Sequence, residues 1–130
     1  MRIGVVGSRR RNTKEDKQLL EASIRGLITD RFVSWNEVVF VSGGCPKGAD
    51  NFIKELVNEE KFKGSTLREH LPNVFPGMKY WDVVNANYAR NEKIAADSDI
   101  LVAMVAPDRK GGTENTIKHA KRMKVEVVLV

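Results

Sequence analysis

The sequence predicts a doubly wound α/β domain, a mainly parallel sheet of about five strands with helices on both faces. Three observations predict it. Apolar runs of strand length recur at Ile3 to Val6, Val38 to Val41, Ile100 to Val105 and Val125 to Val130, and such near-continuous apolarity suits strands covered on both faces. Amphipathic helical segments alternate with these runs. Three glycine-rich segments follow strands directly, where the loops at the carboxyl edge of a parallel sheet fall.

The first strand runs through Ile3 to Val6 and turns at Gly7. Thr13, followed three residues later by Asp16, is a capping signal that starts a helix near Lys14, and Leu20, Ile24, Leu27 and Ile28 form its buried stripe. After the second strand, Ala49, Phe52, Ile53, Leu56 and Val57 repeat at helical spacing. From Lys61 to Gly77, the breakers Gly64, Ser65, Pro72, Asn73, Pro76 and Gly77 interrupt any period, leaving room for one short strand through Thr66 to Glu69. If that strand pairs, right-handed crossovers give the order 3-2-1-4-5. A third helix is predicted from about Lys79 to Ala96 and a fourth from about Thr113 to Lys124, with Ile117, Ala120 and Met123 turned inward. No repeat or linker divides the chain, so residues 1–130 are predicted to form one domain.

Composition narrows the function. A chain of 130 residues supports one core. No apolar run reaches membrane-spanning length, and the start reads as a strand rather than a signal peptide, so a cytoplasmic protein with no membrane partner is expected. Cys45 is the sole cysteine, and His70 and His119 are the only histidines, which excludes an internal disulfide and leaves no zinc-type ligand cluster. The net charge of +5 and pI near 9.5 favour an anionic partner. The cations are spread among many acids, however, as on an ordinary solvated surface.

The chemistry lies in the glycine-rich segments Gly7-Ser8-Arg9, Ser42-Gly43-Gly44-Cys45-Pro46-Lys47-Gly48-Ala49-Asp50 and Lys110-Gly111-Gly112-Thr113. At the strand ends of one sheet these loops converge on one place, where backbone amides can approach an oxyanion and the following helix adds partial positive charge. The first turn lacks the dinucleotide glycine spacing. The second lacks the lysine and hydroxyl of a Walker loop, with Ala49 and Asp50 in their places. No cofactor and no metal are therefore expected.

Ser8 and Thr113 can donate to phosphate or cap a helix, and capping is the expectation for Thr113. Arg9 is placed to clamp a phosphate, with Arg10 and Arg11 solvated beside it. Asp50 in the first turn of a helix stabilises its amides, and the same carboxylate can accept from ribose hydroxyls. Arg90 and Asn91 read as ordinary helix surface, and Cys45 reads as inert packing.

Taken in order, Gly7-Ser8-Arg9, Ser42-Gly43-Gly44 with Gly48-Ala49-Asp50, Trp81, Arg90-Asn91, Ala96-Asp97-Ser98-Asp99 and Gly111-Gly112-Thr113 with Ala120 resemble the SLOG superfamily of Rossmann-like domains, especially its small YspA-like members. The resemblance implies a nucleotide-derived ligand at the strand ends, with Arg90 and Asn91 beside it. Relatives often form homodimers, for which the exposed face of the third helix is available. Similarity to DprA implies instead that single-stranded DNA meets Arg9, Lys47 and Arg90, although no row of exposed aromatics for base stacking is evident. Similarity to the LOG-type phosphoribohydrolases implies cleavage of an N-glycosidic bond by an arginine and a glutamate. Arg90 matches that arginine loosely. The glutamate is displaced: Thr116 stands three residues after Thr113, where the family has its acid, and Glu114 follows Thr113 directly, rotated to another helix face.

The leading expectation is a module that binds or senses a nucleotide or nucleotide-sugar phosphate. Amides of Gly43-Gly44 and Gly111-Gly112 hold the phosphate, assisted by Ser8, Arg9 and Thr113. The alternatives are a hydrolase using Glu114 or Asp50 with Arg90, and DNA binding.

Overall fold

In the computed structural model, which describes residues 1–130, the apolar runs become β1 (Arg2–Gly7), β2 (Val39–Ser42), β4 (Ile100–Met104) and β5 (Glu126–Leu129), with β3 (Thr66–Glu69) in the least regular stretch. All neighbours pair in parallel, in the order β3-β2-β1-β4-β5. Helices α1 (Lys14–Asp30), α2 (Ala49–Asn58), α3 (Tyr80–Ala96) and α4 (Gly112–Arg122) make the crossovers. This is a Rossmann-like doubly wound fold.

Alternation along the strands divides the core. Ile3, Val5, Phe40, Val102 and Met104 face α1 and α2, packing with Leu20, Ile24, Ile53 and Leu56. Val6, Val41, Leu101 and Ala103 face α3 and α4, where Ile94, Ala95, Ile117 and Ala120 complete a smaller core. Every residue of β4 is buried, as its unbroken apolarity predicts. The run Val125 to Val130 behaves differently. As an edge strand, β5 leaves Glu126 and Leu129 exposed, because only one neighbour and part of a helix cover it.

The capping box at Thr13 and Asp16 forms as predicted and starts α1 at Lys14. The start of α4 differs from expectation. Gly111 occupies the capping position, and Thr113 lies inside the first turn with its side chain buried, so it caps nothing. The Ala96 to Asp99 motif sits at the amino edge, opposite the glycine-rich loops. There Asp99 accepts the Arg2 backbone N–H at 2.8 Å, and Asp97 meets Arg2, Arg68 and His70. These bonds tie β1, β3 and the end of α3 together. No helix is long and apolar enough to cross a membrane.

The length of α3 positions the site. Its 17 residues span about 26 Å, whereas the five residues of β4 span about 17 Å. The amino-terminal half of α3 therefore overhangs the carboxyl edge of the sheet.

A candidate ligand cleft at the switch point

Strand order reverses between β1 and β4, which opens a crevice at their carboxyl ends. An open cleft of about 680 Å³ lies there. Ser8 and Arg9 line it from the loop after β1, and Lys110, Gly111, Gly112 and Thr113 line it from the start of α4. The overhanging half of α3 adds Tyr80, Trp81 and Tyr88, and Asp50, Arg90 and Asn91 line it as well.

The first and third glycine-rich loops therefore meet at one cleft, but the second takes a different part. Of that loop only Cys45 and Asp50 line the cleft, while Ser42, Gly43, Gly44, Lys47 and Gly48 do not. Its amides are already engaged. Gly44 N–H donates to Ser42 Oγ at 3.2 Å, Cys45 N–H to Asp50 Oδ2 at 3.0 Å, and Gly48 N–H to Asn12 Oδ1 at 2.9 Å. The expected phosphate cradle at Gly43-Gly44 is thus closed by neighbouring side chains. Lys47 is exposed at the surface away from the cleft.

Two of these glycines serve contact instead. A Cβ on Gly43 would lie 2.5 Å from Arg90 Nη1, so its absence lets Arg90 donate to the Gly43 carbonyl at 2.7 Å. Gly48, at φ 72°, would place a Cβ 2.9 Å from the Ser8 carbonyl oxygen, which fixes how closely the second loop abuts the first. Arg90 and Asn91 are accordingly not ordinary helix surface. Arg90 Nε donates to Asn91 Oδ1 at 3.0 Å. Asn91 is 6% exposed and reaches the Gly112 carbonyl and Asn115 Oδ1, joining α3 to the first turn of α4.

That first turn is left open to the cleft. Gly112 and Thr113 amides have no partner within the helix, Gly111 supplies no capping side chain, and the space beside Gly111 and Gly112 is empty. Amides of this kind, with the helix dipole behind them, favour a phosphate or carboxylate. Arg9 and Lys110 line the same cleft, and no protein group binds either side-chain cation. Arg10 instead pairs with Asp108 at 2.6 Å, and Arg11 pairs with Asp16 at 3.1 Å.

Asp50 is the only carboxylate lining the cleft. Burial pushes it up from the usual 3.8 to about 6, against the opposing pull of the Cys45 N–H and the Arg90 charge. Its bond to the Cys45 amide braces the second loop as well as stabilising the start of α2. Glu114 lies elsewhere. Both its oxygens accept from Arg109, at 2.8 and 2.9 Å, and it does not line the cleft. The rotation that separates it from Thr113 on the helix explains the placement. Cys45 faces the cleft half-buried rather than packing in the core.

The aromatic side chains are the feature that sequence reasoning missed. Trp81 and Tyr80 are 72% and 71% exposed, Tyr88 is 47% exposed, and the Tyr80 and Trp81 rings meet edge to face at 5.1 Å. A signal was available in the helical stripe Tyr80, Val84, Asn87, Asn91 and Ile94, whose lower end is core and whose upper end is aromatic and polar.

Comparison with protein-family models gave no match, and comparison with curated proteins gave none either. Among solved structures, the chain is similar to the C-terminal domain of a hydrogenase from Pyrococcus furiosus, at 16% identity and a TM-score of 0.44, over 98% of this chain and 89% of that one.

Proposed function

We propose that this protein binds a nucleotide or nucleotide-sugar phosphate in the switch-point cleft. The observation that carries the reading is that open α4 amides, the unpaired cations Arg9 and Lys110, and the exposed rings of Tyr80, Trp81 and Tyr88 line one cleft. The amides and cations suit a phosphate, and the rings suit a base, which has an apolar face to stack. The resemblance to YspA-like SLOG domains supports the same ligand class. In this reading the phosphate lies on Gly111 to Thr113 with Arg9 rather than on Gly43-Gly44, whose loop is closed by its own hydrogen bonds.

Calorimetry of the whole chain against inorganic phosphate, nucleoside monophosphates and nucleotide sugars tests the reading. Saturable nucleotide binding that Arg9→Ala weakens roughly tenfold is expected, the size of one lost charge-assisted bond. No binding at millimolar ligand overturns it. The exposed aromatic rings also favour a second reading, single-stranded nucleic acid tracked by Arg9 and Lys110. A gel shift that weakens steeply with salt, in a protein that ignores mononucleotides, would favour that reading. Chromatography for free base released from bound nucleotide tests the hydrolytic alternative, for which Asp50 is the carboxylate in reach.

A further inference from the structure

Asp50 is out of place in a site built only for phosphate. A lone carboxylate repels a phosphate, yet this one lines a cleft that also holds Arg9, Arg10, Arg90 and Lys110. It is not there to form an ion pair, since no cation approaches it within salt-bridge distance. Nor is it consumed by side-chain hydrogen bonds. Its protein donors are backbone amides, the Cys45 N–H on Oδ2 at 3.0 Å and the nearby Gly43 N–H, and no side chain donates to it. The charged groups facing it are Arg90 from α3 and Glu69 at the end of β3. A half-buried carboxylate with acceptor capacity left over suits neutral hydroxyl donors on the ligand.

In a nucleotide the hydroxyl donors lie on the sugar, between phosphate and base. The cleft offers the matching set of groups: phosphate donors at the start of α4, aromatic rings on the overhang of α3, and a single carboxylate in Asp50. We infer that Asp50 is a specificity-determining residue that accepts from the vicinal 2′,3′-hydroxyls of the ligand's sugar, so that the cleft selects ribonucleotides over 2′-deoxyribonucleotides. The inference rests on the nucleotide reading given above. A hydrogen bond to a charged acceptor corresponds to a preference of roughly ten- to a hundredfold.

The test compares calorimetric affinities of the full chain at about pH 7.5, where the carboxylate is charged, for AMP, GMP, CMP and UMP against their 2′-deoxy counterparts. Wild type is expected to bind the ribose form of each accepted nucleotide roughly ten- to a hundredfold more tightly, and Asp50→Asn to bring the ratio near one. Should that variant fail to fold, the wild-type ratio measured at about pH 5, where the carboxyl is largely protonated, serves in its place and is expected to shrink. The phosphate titrates alike in both sugars and cancels from the ratio. Equal binding of both sugars by wild type, or a preference undiminished by Asp50→Asn or by protonation, overturns the inference and leaves nucleotide binding standing. Failure of every nucleotide to bind overturns both.

Discussion

Replacing Asp50 with asparagine is expected to stabilise the ligand-free protein at neutral pH. Burial raises the folded-state value from 3.8 to about 6, so at pH 7.5 the folded chain holds a charge that the unfolded chain holds more easily. A rise of about two pH units, at about 1.4 kcal/mol each, corresponds to a penalty of about 3 kcal/mol. The sign follows from linkage. Below 3.8 the group is protonated in both states and the penalty is absent; it grows as pH rises from 3.8 towards 6 and is complete above 6. Asparagine keeps the shape and the carbonyl that accepts the Cys45 N–H but carries no charge. Urea unfolding of wild type and Asp50→Asn at about pH 7.5 and about pH 4 measures the effect, with the other carboxylates cancelling between the two proteins. The variant is expected to gain up to about 3 kcal/mol at the higher pH and under about 1 kcal/mol at the lower. A variant less stable than wild type at pH 7.5, or a gain independent of pH, would refute the reasoning. A stabilising change that weakens ribose selection is the trade expected where a strained group serves binding.

Other outcomes follow from the same geometry. Gly48→Ala forces a side chain onto φ 72° and ψ −150°, 2.9 Å from a backbone carbonyl, and is expected to cost about 1–3 kcal/mol in urea unfolding. Glu114→Gln should leave nucleotide affinity unchanged by calorimetry, because its partner Arg109 lies outside the cleft with it. A tenfold loss there would reinstate Glu114 as a ligand group. Trp81→Ala should weaken nucleotides roughly tenfold or more, as expected for a lost stacking partner, while leaving inorganic phosphate alone. Equal losses for both ligands would place Trp81 in the phosphate site instead.

Much of the architecture was legible in local pattern. Continuous apolar runs became the buried strands β1, β2 and β4, Thr13 with Asp16 marked the start of α1, and Thr66 to Glu69 became β3 despite its breakers. Each is a short-range property, set by side-chain period, capping chemistry and propensity. The strand order also followed, because right-handed crossovers leave few alternatives. Sequence therefore determined the fold and the edge of the sheet at which the cleft opens.

Tertiary structure decided what the loops do there. Gly43-Gly44 looked like a phosphate cradle, but Ser42, Asp50 and Asn12 occupy the amides of Gly44, Cys45 and Gly48, and Asn12 comes from a loop 36 residues away. Arg90 looked like surface until the bare Gly43 carbonyl received it. Tyr80 and Trp81 became a cleft-facing pair only because α3 outruns the sheet, a difference in length between that helix and the strand that follows it. The reason is physical. A glycine's local conformation shows that something can approach it, whereas hydrogen-bond partners and burial, which decide what does approach, are set by residues brought together only on folding.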